Sequence, residues 1–175
     1  MQLFYQPEIP DGIHHLTPDE SRHAVKVMRL IQGDSIDLTD GKGSFYKATI
    51  TDTNQKKCAF EITTEQTVEP HPIYRHIAIA PTKNNDRLEW FLEKATEIGI
   101  DEITPIICQN SERKFIKKER LEKIIQSAMK QSLKFTLPKL NEAIKLSQFI
   151  SQNSNINTYI AHCEENEKTL LKNAI

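Results

Sequence analysis

The hydrophobic period of this chain changes near residue 70, and that change constrains its fold more than any other feature. Before it, Ser35–Thr39, Phe45–Thr51 and Lys57–Thr64 alternate apolar with polar or β-branched residues. That two-residue period belongs to strands burying one face. Asp40-Gly41-Lys42-Gly43 joins the first two segments and reads as a hairpin, because its glycines tolerate the positive φ such turns require. Several short strands in so little chain predict a small β-barrel or sandwich over residues 1–70. One helix interrupts them. Thr17-Pro18-Asp19-Glu20 is a capping box with proline at the first helical position, predicting a helix from Pro18 to about Leu30 that stops before Gly33. Arg22, Lys26 and Arg29 fall on one face of it, with His23 beside them.

"EQTVEPHPIYRH" reads as a linker, and over residues 71–175 a different pattern takes over. Ile77–Ala80 and Ile103–Ile107 are apolar runs of the kind buried in parallel sheets. Asn85–Ile98 carries an apolar stripe between them, and Gly99 sits where a helix C-terminal glycine belongs. A third unit follows, with a helix over Lys118–Phe135, a short strand at Lys139–Ala143 and a helix at Leu146–Gln152. Thr158–His162 reads as another strand, and Glu165–Ile175 as the start of a helix. Strands alternating with helices predict a parallel α/β sheet, so the whole chain reads as two domains.

Composition narrows the class. With 38% hydrophobic and 27% charged residues the chain is globular rather than disordered. It shows neither a signal peptide nor an apolar run of membrane-spanning length, which predicts a cytoplasmic protein. Cys58, Cys108 and Cys163 have no ligand or disulfide spacing, so no metal is expected. The net charge of −1 conceals an asymmetry: residues 1–70 hold seven basic and eleven acidic groups, and the rest sixteen and thirteen. Glu112–Lys134 alone holds eight basic and three acidic residues, including Lys123 and Lys130. Such a patch fits a polyanion or a solvated helix face.

Ligands of parallel α/β sheets sit beyond the carboxyl ends of the strands, where Lys83 and Arg87 follow the first strand. The loop APTKNND has no glycine, which excludes the dinucleotide and phosphate-cradling fingerprints. No nucleophile elbow or zinc-protease helix is present either. Residue chemistry alone reaches a β plus α/β protein with anion-binding surfaces.

The stretches "HAVKVMRL…GDSIDLTDGKG", "KNNDRLEWFLEKATEIGIDEITPI", "SERK" and "ERLEKIIQSAMKQS" resemble, in order, the RsmE family of ribosomal RNA methyltransferases. The resemblance implies an N-terminal PUA-like β-barrel for RNA and a C-terminal α/β domain of the SPOUT type, whose trefoil knot binds S-adenosylmethionine. It implies a cytoplasmic homodimer that methylates N3 of a uridine in small-subunit ribosomal RNA, either free or in the assembled subunit. Carried onto this chain, it marks Lys83, Arg87, Arg113 and Glu97 as candidate catalytic groups. His23, Lys26, Arg29, Lys42, Lys123 and Lys130 are the candidate RNA contacts. In a purely structural reading, Asp86 caps the second helix, Glu97 pairs with Lys94 or Arg87, and Glu112 pairs with Arg113.

Two departures accompany it. Gln131-Ser132-Leu133-Lys134 stands where the family has an arginine after Gln-Ser-Gly, which keeps the charge and loses the bidentate fork. The glycine-rich loop that wraps the cofactor in the family is not found, so the α/β domain reads as partial and cofactor-binding residues are expected beyond Ile175. On this reading the chain alone is inactive. Two other functions fit the residues: a non-catalytic RNA-binding module, and a nucleotide-binding α/β domain unrelated to RNA.

Overall fold

The computed structural model describes residues 2–69, 71–113, 115–154, 157–161 and 168–170, with Glu165 and Asn173. The first unit comprises β1 (Leu3–Tyr5), α1 (Pro18–Arg22), β2 (Ser35–Thr39), β3 (Ser44–Asp52) and β4 (Ala59–Thr67). The strands lie in the order β1-β2-β3-β4, with β1 parallel to β2 and the other pairs antiparallel. The stretch before α1 extends the far edge: Leu16 N–H donates to Cys58 O at 2.8 Å and Phe60 N–H to His14 O at 3.1 Å. The alternating residues close a core of Phe4, Leu16, Ile36, Leu38, Tyr46, Ala48, Ile50 and Phe60. This is a PUA-like β unit. β1, at three residues, is too short for its period to show in sequence.

The first helix departs from expectation. After α1 the chain widens into a π-turn over His23–Val27, and Arg29 takes φ 57°. Helical hydrogen bonding therefore ends at Met28 rather than Leu30. Val25 and Leu30 explain the early end, because both pack on the core and the reversal at Arg29 lets Leu30 fold back onto it. The capping box is half made: Thr17 Oγ1 accepts from Glu20 N–H at 3.4 Å, but the Glu20 carboxylate turns to Lys130.

The second unit contains β5 (His76–Ile79), α2 (Asn85–Ile98), β6 (Glu102–Ile107), α3 (Lys118–Gln131), β7 (Lys139–Leu140), β8 (Ile144–Lys145) and α4 (Leu146–Gln152). β6 is central and all its pairings, to β5, β7 and β8, are parallel. α2 and α3 cover one face, burying Leu88, Leu92, Ile103, Leu121, Ile125 and Leu140 together. Asn84 rather than Asp86 caps α2, its side-chain oxygen accepting from Asp86 N–H at 3.0 Å. Gly99, at φ 98°, ends that helix as expected.

Three expected elements differ. α3 stops at Gln131 because Leu133, at φ 53°, turns the chain toward the first unit. The strand expected at Lys139–Ala143 is only Lys139–Leu140. Thr158 to Ala161 form no strand, and His162 lies outside the described residues. Of the helix expected from Glu165, the described residues Glu165, Lys168 to Leu170 and Asn173 are not α-helical, and the others lie outside the description.

The hairpin tip joins the two units. Gly43 N–H donates to Phe135 O at 2.9 Å, Leu137 N–H to Gly41 O at 2.8 Å, and the Phe45 and Phe135 rings meet at 5.0 Å.

At the amino end of β6, Glu102 accepts from Tyr74 Oη at 2.6 Å, Asn141 Nδ2 at 2.6 Å and Lys139 Nζ at 2.9 Å. Burial by itself would raise the Glu102 pKa, but these hydrogen bonds outweigh it and hold the carboxyl down to about 2. The same bond pushes Tyr74 up to about 12. A carboxylate with a depressed folded pKa stabilises the fold above its unfolded value, near 4.5, and loses that contribution as pH falls toward 2. Glu102→Gln should therefore lower stability at neutral pH and flatten the acid limb of the urea midpoint plotted against pH. A variant with the wild-type slope would show that Glu102 is not the linked group.

Candidate active site and RNA-facing surface

The loops after β5 and β6 meet at the carboxyl ends of these strands. They enclose a shallow depression of about 400 Å³ lined by Pro81, Lys83, Cys108, Asn110, Ser111 and Glu112 among others. Ser111 Oγ accepts from Cys108 N–H at 2.9 Å and holds the second loop close to its strand. Lys83 Nζ lies 3.4 Å from Glu112 Oε2, and Arg113 Nη2 donates to Lys83 O at 2.7 Å. Glu112 thus pairs with Lys83, not with Arg113. The Lys83 side chain is 85% exposed, so water weakens the pair and its ammonium is free to meet an anion. Arg113 has a different situation. Its Nε is buried and finds no hydrogen-bond partner, while its other end fixes the Lys83 backbone. Its first effect is to hold the two loops together.

Arg87, in the first turn of α2, is exposed and has no ion-pair or hydrogen-bond partner among the described residues. Glu97 is not part of this group. It sits ten residues further along α2, about 15 Å by the helical rise, and accepts from Lys94 Nζ at 2.9 Å. The structure brings Lys83 and Arg113 together, puts Arg87 in the first turn of α2, and leaves Glu97 apart. Glu112, expected from sequence to pair with Arg113, is the carboxylate that faces Lys83.

The candidate RNA contacts divide. Lys26 and Arg29 are exposed at the end of the π-turn. His23 is half-buried, its ring edge-on to Phe4 at 6.2 Å. The Lys42 side chain is exposed, though its backbone bridges to Thr136. Lys123 lines a second depression of about 490 Å³ on α3, beside Arg120 and Ser127. Lys130 is a correction. Its Nζ lies 2.6 Å from Glu20 Oε1 between the two units, with side-chain exposures of 24% and 11%, so it is not available to RNA. A helix-face count saw a cation on a basic helix, and the partner 110 residues away was invisible to it.

Among the described residues, no cluster of His, Cys, Asp or Glu is placed to hold a metal, and no helix is long and apolar enough to cross a membrane.

Known proteins resolve the class. The RNA methyltransferase domain family matches residues 69–175, and the RNA methyltransferase PUA domain family matches residues 16–63. This defines a PUA domain coupled to an RNA methyltransferase domain. The probable rRNA-methyltransferase from Porphyromonas gingivalis is 43% identical with a TM-score of 0.78, covering 86% of this chain and 63% of that one. Ribosomal RNA small subunit methyltransferase E of Neisseria gonorrhoeae, solved bound to S-adenosyl methionine, is 27% identical with a TM-score of 0.74, covering 86% and 64%. The protein of that name from Rickettsia conorii is 27% identical over 158 residues, 90% of this chain and 64% of its own length. The chain belongs to the RsmE family of RNA methyltransferases. It spans somewhat less than two thirds of the length of these relatives.

Proposed function

We propose that the protein methylates N3 of a uridine in small-subunit ribosomal RNA, with S-adenosylmethionine as donor, and that it acts as a cytoplasmic homodimer. Residues 1–70 form its RNA-binding domain in this reading, and 71–175 part of its methyltransferase domain. The observation that supports it most is the exposed Lys83 ammonium beyond the carboxyl ends of the parallel strands, on a loop that Arg113 ties to the next, in a chain of this family.

The depression at those strand ends is shallow and lined by charged and hydrogen-bonding groups, with no slot to enclose a purine. It does not fit S-adenosylmethionine by itself, so no described residue is assigned to the cofactor. What these residues offer is the RNA side of the site. Uridine N3 must shed its proton before it can attack a methyl group, and a cation near the ring stabilises the resulting anion. In this reading the exposed Lys83 takes that role and Arg87, in the first turn of α2, meets a phosphate. The target base must leave its stack, because N3 lies on its pairing edge. Lys26, Arg29 and Lys123 then supply affinity that falls with salt and reads no sequence.

The test is methyl incorporation into assembled small subunits by the full-length protein, with the modified position read by mass spectrometry. Lys83→Ala and Arg87→Ala should each lower turnover by about tenfold or more, corresponding to the loss of one electrostatic contact in the transition state. Methylation at another position, or unchanged turnover in both variants, would overturn the assignment. The shallow depression also favours a narrower reading for residues 1–175 alone, that of an RNA-binding module. Calorimetric titration of this chain with S-adenosylmethionine should then release no heat of binding, and a saturating isotherm would exclude that reading.

A further inference from the structure

The segment after the π-turn exposes side chains that a soluble domain has reason to hide. Val27 is 67% exposed, Ile31 65% and Met28 38%, while Val25 and Leu30 of the same short run pack on the core. Nothing in the packing demands apolar groups at the three outward positions. The backbone that displays them is costly, because Arg29 at φ 57° sits in the left-handed region that non-glycine residues avoid. Met28 N–H to His23 O and Leu30 N–H to Ala24 O hold the turn, and Asp34 Oδ2 accepts from Ile31 N–H at 2.8 Å. Strained backbone of this kind, following a π-turn, collects where a surface does something.

The charges around the patch choose its occupant. Lys26 and Arg29 are exposed and have no ion-pair partner among the described residues. Asp34, the acid next to the patch in sequence, is tied to the backbone. Val27 and Met28 between two free cations, with Ile31 just beyond, match a strand with anionic flanks and flat, apolar-faced rings between them. Resting on the RNA reading above, we propose that Val27, Met28 and Ile31 form a wedge that enters between unpaired bases of an RNA loop while Lys26 and Arg29 hold the flanking phosphates. Aliphatic side chains at nucleic-acid interfaces unstack bases in this way. Such a wedge would splay the loop and free a pairing edge.

The experiment uses this chain and two fluorescent probes: an RNA hairpin with a uridine-rich loop, and the fully paired duplex of its stem. A 2-aminopurine in the hairpin loop reports unstacking. In the double variant V27S/I31S, both changes lie at exposed positions, so the fold should persist. Its affinity for the hairpin should fall about tenfold, with duplex affinity and the salt slope unchanged because both cations remain. The rise in 2-aminopurine fluorescence seen with wild type should vanish. Arg29→Gly relaxes the strained φ, so it should withstand more denaturant than wild type yet bind the hairpin more weakly, with a salt slope smaller by about one.

Hairpin affinity and fluorescence retained in V27S/I31S would refute the wedge and leave the RNA reading standing. Equal losses on hairpin and duplex would refute it too. A wild-type chain that dimerises through the patch, with V27S/I31S monomeric and binding RNA normally, would assign the patch to a second copy instead. Failure of wild type to bind either probe would overturn the RNA reading itself.

Discussion

Gly41→Ala should destabilise the protein by about 3 kcal/mol. The residue sits at φ 72°, where an L side chain adds about 1–2 kcal/mol of strain. A Cβ there would lie 2.7 Å from Tyr5 Cε2 and 3.2 Å from Leu137 Cβ. The Tyr5 ring cannot retreat freely, because β1 is held in register along β2, and Leu137 belongs to the segment hydrogen-bonded to the tip. Overpacking of that kind adds about 1–3 kcal/mol. For a chain of this size the thermal midpoint should drop by about 5–15 °C. Gly33→Ala is the control: its φ of 94° carries a similar backbone strain, but no atom lies within 4 Å of the new carbon. Its cost should stay near 1 kcal/mol. Equal losses in the two variants would mean that the tip is not tightly seated between the units. A variant of Gly41 that unfolds in two separate transitions would show the same junction from another side, because the tip is a major tie holding the units in one cooperative whole.

The Gly41 contacts show what sequence can and cannot carry. The Asp-Gly-Lys-Gly turn was legible because glycine at positive φ is a local requirement. That the turn inserts beside Leu137 was not, because nothing near residue 41 encodes a partner 96 positions on. The same division runs through the fold. α2 begins at Asn85, ends at Ile98 and stops at Gly99, as its stripe and cap dictate. The apolar pattern of α3 runs on to Phe135, and neither it nor the proline at 138 hints at the reversal at Leu133. The pattern of α1 runs on to Leu30 for a related reason, since a π-turn keeps helical spacing in view while shifting the register of the residues after it. In the site, the cations after β5 are legible from the strand end, Arg113 only through the family resemblance, and Arg113 does meet the Lys83 backbone. Glu97 enters the site only through the family resemblance, and the helical rise over ten residues already separates it from the loop.

Lys130→Met should cost about 2–3 kcal/mol of stability and should leave the salt dependence of RNA binding untouched. The Lys130 ammonium and the Glu20 carboxylate lie 2.6 Å apart and largely out of water, and Glu20 Oε2 has no other hydrogen-bond partner. Removing one member of a buried pair strands the other charge, which is why such losses reach about 3–5 kcal/mol when burial is complete. Here the partial exposure of Lys130 lowers the figure. The pair also spans the two units, so the loss falls on their junction. The double variant Glu20→Met/Lys130→Met removes both charges and should recover most of the stability, as apolar replacement of buried ion pairs does. Urea unfolding of the two single variants and the double variant gives the coupling directly. The RNA measurement separates this lysine from its neighbour on the same helix. Lys123→Ala removes an exposed cation and should lower the slope of log affinity against log salt by about one, whereas Lys130→Met should not change it. A reduced slope for Lys130→Met, or a single variant as stable as wild type, would return Lys130 to the RNA-facing surface and leave Glu20 without the partner that explains its burial.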